Sequence, residues 1–263
     1  MRYEKVYGIN ESRTSYKGIS LKEGFEDYLI SRVKNRFFDI EGTTELLNEF
    51  QKITSTGFEY NLLVDIFRFN PPIESWKIGE SLAECYLEDF EGVKFYYHSG
   101  RDAKNPKANL QGADLVGFIE ANDEIVFLFG EVKTSSDPSS PPKVLYGRSG
   151  MIQQLERIKK DPKLRGTIIR WLGFKVKNLS STTPFRKYYE KALKLYIKEG
   201  TEKFHLIGIL VRDTQPRESD LKQRYESLKN RLYEKVYLHL IALYLPISIE
   251  QMKKYFLNKA GNK

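Results

Sequence analysis

Two acids and a lysine lie at the ends of two neighbouring apolar segments. Asp114 heads the predicted strand 113–120, and Glu131 and Lys133 end the predicted strand 124–133. Residues two apart on a strand point to the same face, so Glu131 and Lys133 project together while Val132 faces the opposite layer. Burying either charge alone would be costly, so the two need partners, water or a metal ion.

The turn Ala121-Asn122-Asp123 predicts that these strands pair as an antiparallel hairpin. In that register Asp114 lies near Glu131 or Lys133. Two converging carboxylates form a hard-oxygen site for Mg²⁺, with the remaining positions left to water and substrate phosphate. The Lys133 ammonium would then orient the attacking water or stabilise the charge that develops on the phosphate.

Acid-x-Lys tripeptides are common, and an ordinary exposed ion pair at a strand end is the structural alternative. Only Glu131-Val132-Lys133 ends an apolar strand that follows another strand headed by Gly-x-Asp. The other matches fall in predicted loops or a basic helix: Asp102-Ala103-Lys104, Asp161-Pro162-Lys163 and Asp220-Leu221-Lys222.

The surrounding apolar patterns predict an α/β fold, because strands buried on both faces alternate with helices. Asn70-Pro71-Pro72 predicts a boundary between a mostly helical N-terminal region, 1–72, and a second domain, 73–263. The elements predicted in the second domain are a helix at 75–90, a strand at 93–98, the two strands above, helices at 150–161 and 181–200, a strand at 204–213, a helix at 218–236 and a strand at 237–246.

Gly112-Ala113-Asp114, the second strand and Glu131-Val132-Lys133, in this frame of helix and strands, resemble the PD-(D/E)xK nuclease superfamily over roughly residues 75–213. The resemblance implies a restriction-endonuclease-like core, in which a central mixed sheet is flanked by helices. It also implies a nuclease that uses Mg²⁺, for which Mn²⁺ can substitute.

The same resemblance assigns roles to individual residues. Asp114, Glu131 and the backbone carbonyl of Val132 match the metal ligands, and Lys133 matches the catalytic lysine. The family often adds a glutamate from the preceding helix, for which the chain offers Glu80 first and Glu84 one turn later. Solvated helix acids are the alternative for both.

The subgroup of exonucleases with a Gln-x-x-x-Tyr pair is not matched, because Arg157 and Ile158 stand four residues after Gln153 and Gln154. Either glutamine can still approach the site. The segments GESLAECYL, QGADLVGFIE and FGEVKTS are similar to HamA, the nuclease subunit of the Hachiman antiphage system. This resemblance implies a separate helicase partner of the HamB type. The chain itself has no G-x-x-x-x-G-K-S/T phosphate loop.

The composition favours a polyanionic partner, since 43 Lys and Arg against 35 Asp and Glu give a net charge of +8. A row of basic residues after the site fits a track for a phosphate backbone, with a solvated helix face as the alternative. The row consists of Lys143, Arg148, Arg157, Lys159, Lys160, Lys163, Arg165 and Arg170.

Other classes of site are disfavoured. A single cysteine, Cys85, excludes an internal disulfide and a cysteine-based zinc site, and it fits a buried thiol. Three histidines, His98, His205 and His239, lack metal-ligand spacing and are expected to be packed or surface residues. The N-terminus has no apolar signal core and no apolar run can span a bilayer, so a cytoplasmic protein without a membrane partner or small-molecule cofactor is expected.

The leading hypothesis is a metal-dependent nuclease that hydrolyses phosphodiester bonds, with DNA as the expected substrate, as the effector of an antiphage complex with a helicase. The alternative is a non-catalytic nucleic-acid clamp or helicase-regulating subunit with a nuclease-like fold. A structural ion pair in an unrelated α/β enzyme is a third interpretation.

Overall fold

The computed structural model describes residues 1–102, 112–121 and 123–257. Within these residues one mixed sheet is formed by the strands β1 (Tyr3–Asn10), β2 (Thr14–Leu21), β3 (Leu115–Ala121), β4 (Glu124–Ser135), β5 (His205–Arg212) and β6 (Tyr237–Tyr244). The order across the sheet is β1-β2-β6-β5-β4-β3. The inner strands β2, β6, β5 and β4 run parallel, and β1 and β3 pair antiparallel at the two edges.

Helices cover both faces of the sheet. Their bounds are α1 (Phe25–Tyr28), α2 (Lys34–Phe37), α3 (Ile40–Phe50), α4 (Gly57–Phe67), α5 (Ser75–Phe90), α6 (Met151–Lys160), α7 (Pro162–Val176), α8 (Pro184–Lys198), α9 (Lys222–Lys229) and α10 (Ile249–Leu257), with a π-helical turn at Leu29–Val33. One face carries α5 and α10, and the other carries α6, α8 and α9, with α7 packed on α6 and α8. Among the described helices none is long and apolar enough to cross a membrane.

The strand β5 shows why this sheet lies in the interior. Every residue of its sequence HLIGILVR is buried. Leu206 and Leu210 pack into the core on the α6 and α8 face, and Ile207 and Ile209 pack into the core on the α5 face. Near-continuous apolar sequence is typical of parallel strands covered on both sides. The predicted α/β fold, with a mixed sheet flanked by helices, is confirmed.

The N-terminal region is less helical than the sequence predicts. Helices occupy most of the segment from 25 to 67, but β1 and β2 precede them and β2 pairs with β6. The polar residues of β2 prevented its prediction as a strand. Lys17 is accommodated there because its ammonium group is paired with the Glu91 carboxylate at 2.7 Å. One sheet therefore contains strands from both sides of the predicted boundary at residue 72. A separate N-terminal domain remains a prediction.

The strand predicted at 93–98 is too long. Only Lys94 pairs, through an isolated bridge to Phe118 in β3, with backbone bonds of 2.8 and 3.0 Å. Gly117 permits this approach, because a Cβ there would lie 2.7 Å from the Lys94 carbonyl oxygen. The sheet therefore ends at β3 with a single-residue contact.

The predicted helix 218–236 is also too long. A single 3-10 turn at 218–220 precedes α9, which ends at Lys229. Asp220 is buried and accepts hydrogen bonds from Arg212 Nη1 and from the Tyr244 hydroxyl, both at 2.6 Å. These contacts hold the turn against the sheet, so the helix begins after it.

Candidate functional site

The hairpin β3–β4 positions the two predicted acids. Its antiparallel register runs from Ala121 opposite Glu124 to Leu115 opposite Gly130. This confirms the predicted pairing, although Asn122 of the predicted turn lies outside the described residues. One step beyond Leu115, the register brings Asp114 opposite Glu131.

Asp114, Glu131 and Lys133 lie together at the end of this hairpin. The amide of Val132 donates a hydrogen bond to Asp114 Oδ2 at 2.9 Å. Lys133 Nζ donates to Glu131 Oε2 at 3.3 Å and lies 4.0 Å from Asp114 Oδ2. The lysine therefore lies between two carboxylates that come from different strands.

The alternation of β4 separates the polar residues from the packing residues. Phe127 and Phe129 belong to the core beneath α6 and α8, and Glu131 and Lys133 continue that face of the strand. Val132 packs into the opposite core with Ile78 and Leu82 of α5. The two faces are thus occupied as the sequence predicts.

The two carboxylates differ in their surroundings. Glu131 is only 3% exposed, whereas the Asp114 side chain is 27% exposed. Burial and the nearby Asp114 carboxylate together raise the pKa of Glu131 to about 8, although the Lys133 ammonium opposes both. A buried acid beside a second acid and a lysine is the kind of group that clusters at functional sites.

The helix α5 places Glu80 and Glu84 in different surroundings. Burial, together with the carboxylates of Asp114 and Glu84, raises the pKa of Glu80 to about 9. Glu84 instead accepts a hydrogen bond of 2.6 Å from Arg36 Nε. The charges of Asp114 and Lys133 therefore act on Glu80, whereas Glu84 is held in an ion pair with Arg36.

Gly79 allows α5 to lie close to β4, and the sequence reasoning missed this residue. A Cβ at position 79 would overlap Oγ1 of Thr134, which is the next residue after Lys133. That hydroxyl oxygen is buried and has no hydrogen-bond partner among the described residues. A glycine in a helix interior, directly before the candidate acid, was the available signal.

The donor set fits a divalent cation bound by two carboxylates. Asp114 and Glu131 are hard-oxygen ligands, and a cation between them would offset the like-charge repulsion that raises the pKa of Glu131. Within the described part of the chain, however, no three or more His, Cys, Asp or Glu side chains form a metal-binding group. Further ligands would come from backbone carbonyls, water or substrate, as is usual for Mg²⁺.

The predicted row of basic residues divides into two groups. Lys159 is buried and donates a hydrogen bond of 2.7 Å to the Arg231 carbonyl. Arg165 is buried and donates to the carbonyl groups of Ile158 and Lys159 at 2.7 and 2.6 Å. The prediction that Lys159 and Arg165 contact a phosphate backbone is wrong, because both side chains are buried and donate hydrogen bonds to carbonyl groups inside the protein. The exposed members are Lys143, Arg148, Arg157, Lys160, Lys163 and Arg170.

The glutamines, the cysteine and the histidines singled out in the sequence lie in different surroundings. Gln153 is exposed, and Gln154 donates a hydrogen bond of 3.3 Å to the Arg148 carbonyl. Cys85 is buried, as predicted. The rings of His205 and His239 meet edge to face, with centroids 4.4 Å apart.

The chain is an α/β protein, because a mixed sheet carries helices on both faces. Polar residues gather at the end of one inner strand, and this arrangement is consistent with a nuclease-like core. A family model described as HamA matches residues 20–260. The chain therefore belongs to the HamA family, which associates it with the Hachiman antiviral defence system and a partner within that system. No curated protein matches the chain.

Proposed function

We propose that this protein is a metal-dependent nuclease that hydrolyses phosphodiester bonds of DNA as part of Hachiman defence. The observation that carries the proposal is the convergence of Asp114, Glu131 and Lys133 at the end of the β3–β4 hairpin. Membership of the HamA family supports the defence role.

Asp114 and Glu131 would hold Mg²⁺ or Mn²⁺, with the carbonyl oxygen of Val132 as a further ligand. A bound divalent cation would polarise the phosphate and lower the pKa of a coordinated water. The hydrogen bond from the Val132 amide orients the Asp114 carboxylate, and it leaves Oδ1 free of that contact. The burial of Glu131 limits the water that competes for its carboxylate.

Lys133 and Glu80 complete the proposed chemistry. The Lys133 ammonium, 3.3 Å from Glu131 and 4.0 Å from Asp114, is placed to orient the attacking water and to stabilise negative charge on the phosphate. Glu80, whose pKa is raised to about 9, can hold a proton near neutral pH. It can therefore assist as a proton donor or, once deprotonated, as a further ligand.

DNA and a helicase are the proposed partners. Exposed cations on α6 and α7, such as Arg157, Lys160 and Arg170, support binding of a phosphate backbone without base recognition. Because the chain has no phosphate loop of its own, ATP-driven movement along DNA would belong to a separate HamB-like subunit.

The test is cleavage of linear DNA, circular DNA and RNA by the purified chain in Mg²⁺, Mn²⁺ or EDTA. The variants Glu131→Gln and Lys133→Met should abolish cleavage while retaining the fold. The matched control is Glu250→Gln/Lys254→Met, which removes an exposed pair of the same residue types at 3.3 Å on α10. Cutting of the circular substrate would identify an endonuclease.

One observation favours the alternative, a non-catalytic clamp or helicase-regulating subunit. The described residues lack a side-chain group of three metal ligands. A clamp would bind DNA equally well in EDTA and would never shorten it. If neither the chain alone nor its complex with the helicase and ATP cuts any substrate, the nuclease proposal is wrong.

A further inference from the structure

The helices α3 and α4 form a hairpin, residues 40–67, with few links to the sheet. The two helices pack on each other through Phe50 and Phe67, whose ring centroids are 5.7 Å apart. At its start, Asp39 caps α3 and forms hydrogen bonds of 2.6 and 2.7 Å with Arg101. The hairpin is therefore anchored at its base, and most of its surface is exposed.

An apolar stripe runs along the outer face of α4. Phe58, Leu62 and Ile66, each four residues apart, are 73%, 49% and 74% exposed. Ile53 in the connection between the helices is 67% exposed. Residues four apart lie side by side on a helix, so Phe58, Leu62 and Ile66 form one continuous surface. Continuous exposed apolar surfaces mark interaction sites in folded proteins.

The stripe is presented by a well-formed helix. Thr56 Oγ1 accepts a hydrogen bond of 3.2 Å from the Glu59 amide, and the Glu59 carboxylate accepts one of 3.1 Å from the Thr56 amide. This complete capping box starts α4 directly before Phe58. The exposure of the stripe therefore does not come from an unfolded end.

The hairpin is acidic although the chain is basic. Residues 40–67 contain five acidic side chains and one basic side chain, whereas the whole chain has a net charge of +8. Glu41, Glu45 and Glu49 follow one another at four-residue spacing along α3, and all three are exposed. This charge repels nucleic acid and anionic lipid, and it opposes a symmetric contact between two copies of the hairpin.

The undescribed segments of this chain do not match the stripe. The segments AKNPKANLQ, 103–111, and NKAGNK, 258–263, contain one large apolar residue, Leu110. One side chain cannot cover four exposed ones. A contact with the basic face of another copy would be head-to-tail and would extend into a filament unless it closed into a ring. A different protein is the occupant that satisfies both the apolar stripe and the acidic surface.

We propose that the α3–α4 hairpin docks into an apolar groove with a basic rim on a partner protein of the defence system. Phe58 and Ile66 would fill the groove, and the acidic row on α3 would face its Lys and Arg residues. This inference deepens the partner part of the proposed function and does not depend on nuclease activity.

The experiment places the photo-crosslinking residue benzoyl-phenylalanine at position 58 of the full chain, in cells that carry the complete defence system. The matched control places it at Phe174, a 55% exposed phenylalanine on α7. Adducts are identified by mass spectrometry, with Glu41→Lys/Glu45→Lys/Glu49→Lys and Ile66→Ser as second variants.

We expect position 58 to crosslink one protein of the system other than this chain, with a yield that falls about tenfold or more in each second variant. No adduct at position 58, an adduct with a second copy or with nucleic acid, or a yield unchanged in both variants would overturn the proposal. An adduct with a system protein that is not a helicase would support the docking surface and contradict the helicase part of the proposed function.

Discussion

Arg36 Nε lies 2.6 Å from the Glu84 carboxylate, and their side chains are only 12% and 14% exposed. The pair joins α2 to α5 one helical turn beyond Glu80. Arg36 Nη1 also lies 3.9 Å from Glu88, so one guanidinium serves two acids of α5. Because Glu84 is paired there, the proposed function assigns Glu80 rather than Glu84 to the site.

This pairing predicts opposite effects for two similar substitutions. Glu80→Gln should lower kcat/KM for DNA cleavage by about 100-fold or more, because glutamine cannot exchange a proton or ionise. It should not reduce stability, because glutamine has nearly the shape of the protonated carboxyl group that Glu80 holds near neutral pH. Glu84→Gln should retain most activity but destabilise the fold by about 1–3 kcal/mol, since Arg36 loses its charged partner. Cleavage kinetics and urea unfolding measure both. Equal losses of activity would show that Glu84 also takes part.

The raised pKa values predict how stability depends on pH in the metal-free protein. Glu131 and Glu80 have pKa values raised from 4.5 to about 8 and about 9. At a pH between its unfolded and its folded pKa, each carboxyl group is deprotonated in the unfolded chain but still protonated in the folded chain. The free energy of unfolding therefore falls as pH rises from about 5 to about 9. The slope reaches at most about 1.4 kcal/mol per pH unit for each group.

Urea unfolding in EDTA at a series of pH values checks this dependence. Glu131→Gln should reduce the slope, and the exposed control Glu250→Gln should not. A divalent cation should stabilise the wild type increasingly as pH rises, because its ligands must be deprotonated. A wild-type slope equal to that of Glu131→Gln would contradict the predicted protonation of Glu131.

Because α5 lies close to β4, even a methyl side chain at position 79 should destabilise the fold. Gly79→Ala should destabilise the fold by about 1–3 kcal/mol and weaken cleavage, because the added Cβ displaces the helix that carries Glu80. Gly166→Ala is the matched control: a Cβ at this glycine of α7 meets open space, and the change should stabilise by up to about 1 kcal/mol.

A second substitution tests the cause of that penalty. Thr134→Ala removes the overlapping hydroxyl oxygen, which has no hydrogen-bond partner among the described residues. Gly79→Ala/Thr134→Ala should therefore recover much of the stability in chemical denaturation. A double variant no more stable than Gly79→Ala would show that the contact with Thr134 is not the cause.

The division of the basic residues predicts separate effects on binding and folding. Replacing the exposed Arg157, Lys160 and Arg170 by Ala should leave the unfolding free energy nearly unchanged. It should also lower the slope of log K against log salt for DNA binding by about 0.9 for each phosphate that is no longer neutralised. Arg165→Ala should instead destabilise by about 3 kcal/mol or more, because the buried guanidinium donates to three backbone carbonyls and one hydroxyl.

Salt titrations by fluorescence anisotropy and thermal unfolding distinguish these outcomes. A lower DNA affinity of the exposed triple variant with an unchanged salt slope would contradict phosphate binding by these side chains. Normal stability of Arg165→Ala would contradict its structural role.

The part of the site that could be predicted depends on contacts between segments that are close together in the sequence. Asp114 and Glu131 are neighbours because two strands that follow each other in the sequence pair antiparallel, and period-two alternation then aligns Glu131 with Lys133. The preference for Glu80 over Glu84 depends on Arg36, which is remote in sequence. Helix spacing alone places both acids on one face and cannot reveal that partner.

The errors have a common physical origin in long-range contacts. β2 is a strand because β6 lies beside it, more than 200 residues later in the chain. Lys159 has the same local sequence character as the exposed Lys160, and only tertiary packing buries it. Local periodicity carries no information about either contact.

The position of β2 in the sheet bears on how the protein is made. The hairpin of β1 and β2 is synthesised before the rest of the sheet, but β2 lacks its second neighbour until residues 237–244 of β6 have left the ribosome. β4 also lacks its parallel neighbour until β5 is complete. Pairing between such distant segments is slow to form. A nascent chain that stops before β6 therefore has an incomplete sheet, and premature termination anywhere before that strand leaves an apolar edge that invites aggregation.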